Sequence, residues 1–351
     1  MPYLHQSLCL SPQYSFPEID LSRIRPSKDN LLKVIESPYP GIPAGILRRM
    51  GKSVRMAVGA AIPLLEKNPP PDGIVIATAN GGMEDCIKFL NQIIEYKEGL
   101  LTPVNFVQST SNAAAAQIAL ITKNNNYNIT HVHRGLAFEN ALLDVIMLLK
   151  ENPSGRYLVG STDEISVYNY NIDRIDGWFR DEPVLNTELF LTTAKGSIPG
   201  EGAFMVWMNN KKEGASAELI AVKTLHNWDP ATVSRTLDEF LIENFPHGEK
   251  PDLILTGENG DERLSKYFNA VTSCFDESLP VARFKHFCGD YCTASSFACW
   301  LSTQILESGT VPPLLMKKGV SDKPIRQILI YNNYRGLQHA FILIGGVNSN
   351  K

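Results

Sequence analysis

No apolar run in the 351-residue sequence approaches the roughly eighteen residues that a membrane-spanning helix requires. The start, MPYLHQSLCLSPQ, has neither the basic segment nor the long apolar core of a secretory leader, so a cytoplasmic protein is expected. Cysteine is scarce. Six thiols (Cys9, Cys86, Cys274, Cys288, Cys292 and Cys299) are too few for a disulfide framework at this length. Cys288, Cys292 and Cys299 lack a C-x-x-C pair and a nearby fourth ligand, so buried thiols are expected and a metal is not. No charge dominates: 33 basic against 37 acidic side chains leave a net −4, which removes the electrostatic case for nucleic acid or an anionic membrane. The most informative absence is local. Asn128 to Leu149 reads as an alternating strand (Ile129 to His133), a junction at Arg134-Gly135, and a helix with Phe138, Leu142, Val145, Ile146 and Leu149 on one face. Such a strand–turn–helix commonly presents a nucleophile, yet this one contains no Cys and no Ser.

What is present is ordinary for a globular chain, with 44% hydrophobic and 20% charged residues. After a first strand, Tyr3 to Leu10, the spacing of Leu47, Met50, Val54, Val58 and Ile62 predicts a helix over 46–65, stopped by Asn68 to Gly73. Gly73 to Thr78 is a continuously apolar buried strand. Asn80-Gly81-Gly82 then opens a helix from Met83 to Tyr96. Ser111-Asn112 is placed to cap an alanine-rich helix, Ala113 to Lys123, and Asn124 to Asn126 reads as a turn. Strands at Arg156 to Gly160, Gly202 to Met208, Glu218 to Leu225 and Asp252 to Thr256 alternate with helices at Val233 to Phe245 and Cys292 to Leu306. Gln327 to Tyr331 and His339 to Ile344 form a terminal hairpin around Asn332 to Gln338. The alternation predicts a layered α/β fold. The second part repeats the order of the first with no linker and no visible sequence repeat.

Several junctions, in order, resemble the β-ketoacyl synthases of the thiolase-like superfamily over nearly the whole chain. Gly200-Glu201-Gly202-Ala203 before an apolar strand is similar to the synthase G-E-G-A segment. Gly160 to Glu164 stands where synthases carry a glycine pair and an acidic residue. Lys285-x-x-x-Gly289 before a small-residue helix resembles the K-x-x-x-G-H block, and Asn332 to Gln338 the glycine- and phenylalanine-rich loop before the last strand. The resemblance implies an α-β-α-β-α fold of two similar, intimately packed halves, 1–209 and 210–351, each a mixed sheet with packed helices. It also implies acyl-carrier protein and acyl thioester as partners, a homodimer or a heterodimer with an active ketosynthase, and no cofactor.

In that family an elbow cysteine accepts the acyl group, and two histidines assist decarboxylation and stabilise the oxyanion. Carried onto this chain, the cysteine position falls at Gly135 (Leu136 if the alignment slips by one), the first histidine at Gly257 and the second at Asp290. Only Lys285 of that block survives. Glycine carries no nucleophile and would relieve strain at the elbow, and an ionised Asp290 would repel an oxyanion. The concerted loss resembles the chain-length factors that pair with an active synthase, and the synthase-like proteins of aryl-polyene and flexirubin pigment clusters. The expected function is a non-catalytic subunit of acyl-chain elongation in fatty-acid, polyketide or aryl-polyene synthesis. The alternative is an acyltransferase or 3-oxoacyl-carrier-protein synthase-like enzyme using other residues.

The resemblance places acyl-tunnel candidates on the helix after Gly81-Gly82: Met83, Cys86 and Leu90 share a face at i, i+3 and i+7, where ordinary core is the competing reading. It makes the strand with Ile129, His131 and His133 the dimer seam. His131, His133 and Arg134 could instead form another active site or a carrier or phosphate contact. Glu258, Asp261 and Glu262 with Asp290 could do acid–base work, but a solvated loop with Lys285 pairing one of them is the favoured account. Asp163-Glu164 is expected to fix the loop after its strand.

Overall fold

The computed structural model describes residues 1–36, 39, 41–319 and 323–347. The first half of the chain supplies β1 (Tyr3–Leu10), α1 (Ala44–Leu47), α2 (Lys52–Leu65), β2 (Gly73–Thr78), α3 (Met83–Glu95), α4 (Pro103–Gln108), α5 (Ala113–Thr122) and β3 (Tyr127–Val132). It continues through α6 (Ala137–Glu151), β4 (Arg156–Asp163), α7 (Val167–Ile175) and β5 (Gly202–Asn209). The second supplies β6 (Ala217–His226), α8 (Pro230–Asn244), β7 (Leu253–Thr256), α9 (Ser265–Thr272), β8 (Val281–Arg283), α10 (Lys285–Cys288) and α11 (Ser295–Ser308). It ends with β9 (Met316–Lys318), β10 (Gln327–Tyr334) and β11 (Gln338–Gly346).

Hydrogen bonding joins the strands into one mixed sheet, in the order β3-β2-β4-β5-β1-β6-β11-β10-β7-β8-β9. A repeat that the residues do not show appears in the pairing. In the first half β2 is parallel to β3 and β4, while β5 is antiparallel to β4 and β1. In the second, β7 is parallel to β8 and β10, while β11 is antiparallel to β10 and β6. The halves meet where Tyr3 and Leu4 pair with Glu218 and Ala217.

The buried faces explain the layers. β2 is buried at all six positions, as a central parallel strand must be. α6 and α11 run between the half-sheets: α6 packs on β2, β4 and β6, and α11 on β5, β10 and β11. α6 turns Phe138, Leu142, Val145 and Leu149 into this central core, where Phe138 meets Phe204 edge-on at 5.9 Å. α11 is buried on nearly every side and keeps close contact through Ser295, Ser296, Ala298 and Cys299. Outer cores lie under α2 and α5 on one side and under α8 and α9 on the other. The result is the α-β-α-β-α layering expected.

Two local expectations are corrected. The helix predicted over 46–65 breaks, because Gly51 leaves helical geometry (ψ 161°) and Arg55 takes the Met50 carbonyl at 3.0 Å. Asn112 does stand before α5, but its side chain makes no cap; its carbonyl merely receives Ala116 N at 2.9 Å.

Candidate functional site

The strand–turn–helix junction forms as the pattern requires, with its strain in an unexpected place. β3 ends at Val132, a single 3-10 turn spans Arg134–Leu136, and α6 starts at Ala137. The left-handed residue is Arg134 (φ 48°), a residue with a Cβ, and Gly135 relieves nothing. Gly135 is instead a position of close approach. A Cβ there would lie 2.1 Å from the Cβ of Tyr334, and its N–H donates to Gln338 Oε1 at 3.0 Å. Leu136 is buried behind it.

A second glycine is filled in the same manner. Gly257 follows β7, and a Cβ there would lie 2.2 Å from Asn332 Oδ1. Asn332 is buried, and that oxygen accepts no hydrogen bond. The loop after Gly257 is not the solvated one expected: Asn259 and Asp261 are almost wholly buried. Asp261 holds Arg263, Glu258 pairs with Lys317 and Arg283, and the exposed Glu262 stays outside. These carboxylates face separate partners and do not assemble into an acid–base cluster.

Lys285 and Asp290 do come together. Lys285 Nζ, almost fully buried, donates to Asp290 Oδ1 at 2.7 Å, and Asn259 Nδ2 donates to Oδ2 at 2.8 Å. Each carboxylate oxygen of Asp290 therefore accepts a hydrogen bond from within the protein. Behind this pair sits Glu139, in the first turn of α6. It is fully buried, and neither oxygen has a hydrogen-bond partner. Burial pushes its carboxyl up to about 7, opposed by the nearby Ser295 hydroxyl and the Lys285 charge.

Asp290 also borders a cleft with an internal volume of about 50 Å³, room for roughly three or four waters. Its walls include Asn169, Tyr170, Trp178, Phe179, Cys292, Tyr334 and Arg335. Tyr170 and Phe179 stack with centroids 5.8 Å apart. The Arg263 and Arg335 guanidiniums lie 4.1 and 4.8 Å from the centre of the Trp178 ring. Arg335 also pairs with Asp173, which ties the β10–β11 turn to α7 across the cleft. Two buried donors of this wall, Asn169 Nδ2 and Arg335 Nε, make no hydrogen bond, at a cost of about 1–3 kcal/mol each. Burial raises the Cys292 thiol far above its usual range, so it is held as a thiol and is a weak nucleophile. None of these wall residues carries a spacing that would have announced it: α7 and the β10–β11 turn are far apart in sequence.

Of the remaining expected residues, Asp163, Glu164 and Cys292 border this cleft and the others lie outside it. Met83 and Cys86 are half-buried and Leu90 is 51% exposed, so the face they share is not core in the isolated chain. Of the residues of α3, only Asp85 is buried. Ile129 and His131 on β3 are half-buried; His133 and Arg134 are exposed. The histidines are held from within: His131 Nε2 lies 3.0 Å from Asp144 Oδ2, and His133 Nδ1 accepts from Asn140 Nδ2 at 2.9 Å. Asp163 acts on a different loop from the one expected. Its Oδ1 accepts from Thr78 Oγ1 and from the N–H groups of Ala79 and Asn80, each at 2.9 Å, which shapes the turn after β2. Cys288, Cys292 and Cys299 are buried thiols, and among the described residues no His, Cys, Asp and Glu group could hold a metal ion. Among the same residues no helix is long and apolar enough to cross a membrane.

Residues 27–182 match the model of the beta-ketoacyl synthase N-terminal domain. No curated protein matches the chain. Solved structures are similar along its whole length at low identity. The ishigamide ketosynthase/chain length factor is 16% identical, with a TM-score of 0.76 over 98% of each chain. A type II acyl-carrier protein in complex with its ketosynthase bound to the hexaketide is 14% identical, with a TM-score of 0.79 over 98% of this chain and 99% of that one. The ketosynthase ApeO in complex with its chain length factor ApeC, from Xenorhabdus doucetiae, is 12% identical, with a TM-score of 0.78 over 98% of each chain.

Proposed function

We propose that this chain, a β-ketoacyl-synthase-like protein of the thiolase fold, is a non-catalytic subunit of the chain-length-factor type. It pairs with an active synthase during acyl-chain elongation on an acyl-carrier protein, in a polyketide or aryl-polyene pathway. The observation that supports this reading is the packing around the three positions that the resemblance aligns with a synthase's nucleophile and histidines. They are Gly135, Gly257 and Asp290. The space beside Gly135 is taken by Tyr334 and that beside Gly257 by Asn332, while Asp290 is spent on Lys285 and Asn259. A larger side chain at Gly135 or Gly257 would meet Tyr334 or Asn332, so a single substitution there would not supply a catalytic group without repacking.

The surface supports a partner. β3 ends the sheet, and among the described residues nothing pairs with its outer side. Ile129, His131 and His133 would lie along that seam. An apolar surface runs from it over α5, α4 and α3, with Leu120 at 72%, Phe106 at 58% and Leu90 at 51% exposure. Phe106 meets Phe89 of α3 at 5.3 Å, which makes the surface continuous. With a partner over it, the Met83, Cys86 and Leu90 face would become an apolar wall suited to a thin acyl chain.

Two measurements test the reading. Co-expressed with the synthase encoded beside it, the chain should purify as a one-to-one complex. Mixed alone with acyl-carrier protein carrying a radiolabelled acyl group, it should take up no label. A stable acyl adduct on Cys86, Cys288 or Cys292 would favour the acyltransferase alternative. A lone homodimer that captures no synthase would remove the pairing.

A further inference from the structure

A groove of about 400 Å³ runs along the segment from Arg25 to Ile35 and shares no residue with the cleft at Asp290. Sites for small ligands span about 300–1,000 Å³, so this groove is large enough to be one. Three cations line it, Arg25, Lys28 and Lys33, against a single carboxylate, Asp29. Among the described residues none of the three side chains has an ion pair or a hydrogen bond. The contrast with Arg23 is direct. The Arg23 and Arg25 guanidiniums both lie over the Tyr14 ring, 4.3 and 4.0 Å from its centre. Arg23 is paired with Asp20, and the half-buried Arg25 is left without an anion.

The backbone that carries these charges is fixed. Lys28 and Leu31 exchange N–H to carbonyl bonds at 3.1 and 2.9 Å, and Leu32 N donates to the Pro199 carbonyl at 3.0 Å. Arg25 N donates to Gln13 Oε1 at 2.7 Å. Exposure then alternates, with Leu32 and Val34 buried and Lys33 and Ile35 outside, so Leu31 and Ile35 give the groove an apolar side next to the lysines. The surplus of positive charge suits a doubly charged anion better than a singly charged one. A guanidinium fork holds two oxygens of such a group, and an ammonium is left for a third. A phosphate monoester meets both conditions, with three free oxygens and a charge of about −1.5 to −2 at neutral pH. We propose that this groove binds a phosphate monoester carried on a short apolar body. The net charge of −4 on the whole chain opposes an extended anionic surface, whereas a small anion feels the local surplus. This inference rests on the groove of this chain alone and does not require pairing with a synthase.

Calorimetric titration of the full chain with octyl phosphate, octanoate, octanol and inorganic phosphate tests it. Octyl phosphate should bind. Octanoate, with one charge, and inorganic phosphate, without the apolar body, should each bind about tenfold more weakly, and octanol should not bind. Lys28→Glu combined with Lys33→Glu should weaken octyl phosphate by at least about tenfold. Arg25→Lys, which keeps the charge and loses the fork, should weaken it about threefold. Both lysines are exposed, so the melting curve of the double variant should not move, and if Arg25→Lys does not fold the double variant decides. Octanoate or octanol binding as tightly as octyl phosphate would overturn the charge match. Unchanged affinity in the double variant, or no octyl phosphate binding to the wild type, would overturn the site. Sedimentation with vesicles of equal parts phosphatidylcholine and phosphatidate separates a free ester from a lipid headgroup: the chain should stay in solution, and pelleting would overturn the small-ligand reading. Co-purification of a synthase is unaffected by any of these results, so the two readings fail separately.

Discussion

β3 and β8 hold equivalent places in the repeated strand order, yet one is sealed and the other bare. β8 is buried at Val281 and Ala282 and is covered by β9, a three-residue strand ending in Lys317 and Lys318. A short, lysine-bearing strand is a common way to blunt a sheet edge. β3 has no such cover: Tyr127 and Val132 stand exposed on it, and the helices beside it carry exposed leucine, valine and phenylalanine. A chain that blunts one edge and leaves its counterpart open has a finished side and an unfinished one. The unfinished side is the half that holds Gly135.

Charging the open side should break that contrast most strongly. Val132→Asp with Leu120→Asp should weaken association with a second subunit by a hundredfold or more, about 3 kcal/mol, seen by sedimentation. Because both side chains are exposed, the unfolding midpoint of the isolated chain should barely move. Unchanged association would mean that the open edge is not where the subunits meet.

Glu139, held between α6 of the first half and Ser295 of the second, should give the next largest effect. Its folded carboxyl sits at about 7, raised by burial from an ordinary 4.5. The folded chain keeps a proton that the unfolded chain sheds, so this stability is complete below the unfolded value and is lost as pH rises through about 7. The loss is on the order of 3 kcal/mol. Glu139→Gln should flatten that fall between about pH 5 and pH 8 in denaturant titrations. Parallel curves for the two proteins would refute it.

The two filled glycines separate the halves more finely. Gly135→Ala meets the Cβ of Tyr334, which only a backbone shift can clear, and should cost about 2 kcal/mol of stability. Gly257→Ala meets first the tip of the Asn332 amide, a side chain with rotamers to spare, and should cost less, about 1 kcal/mol. Equal costs by chemical denaturation would mean that the clefts behind the two glycines yield alike.

Much of the frame was legible from the residues. The continuous apolar run of Gly73 to Thr78, the alternation ending at His133 and the helical spacing from Phe138 each report a period that one element imposes on its own side chains. The terminal hairpin was legible for the same reason, though β10 and β11 run deeper into the turn than expected. The site was legible only as an absence. Nothing in Arg134-Gly135 says which of the two takes the left-handed conformation, since glycine is the usual occupant. Nothing in Glu258 to Asp261 says that the loop is buried, because its polar composition fits solvent equally well. The competing reading of the Met83, Cys86 and Leu90 face as ordinary core failed for a related reason: periodicity marks an apolar stripe but not what covers it.

The sequence by itself determined the layered α/β class, the strand–turn–helix without a Cys or Ser, and the Lys285-x-x-x-Gly289 stretch before a small-residue helix. These are properties of residue type and short-range spacing. Tertiary structure alone decided the repeated strand order and the bare edge at β3. It also brought Tyr334 and Asn332 against the two glycines, paired Lys285 with Asp290, and set the unpartnered donors of Asn169 and Arg335 in one wall. Each of these joins residues tens to hundreds of positions apart. Such contacts follow from how buried faces and hydrogen-bonding groups are satisfied together in a packed core, a condition on the whole chain that no local window contains.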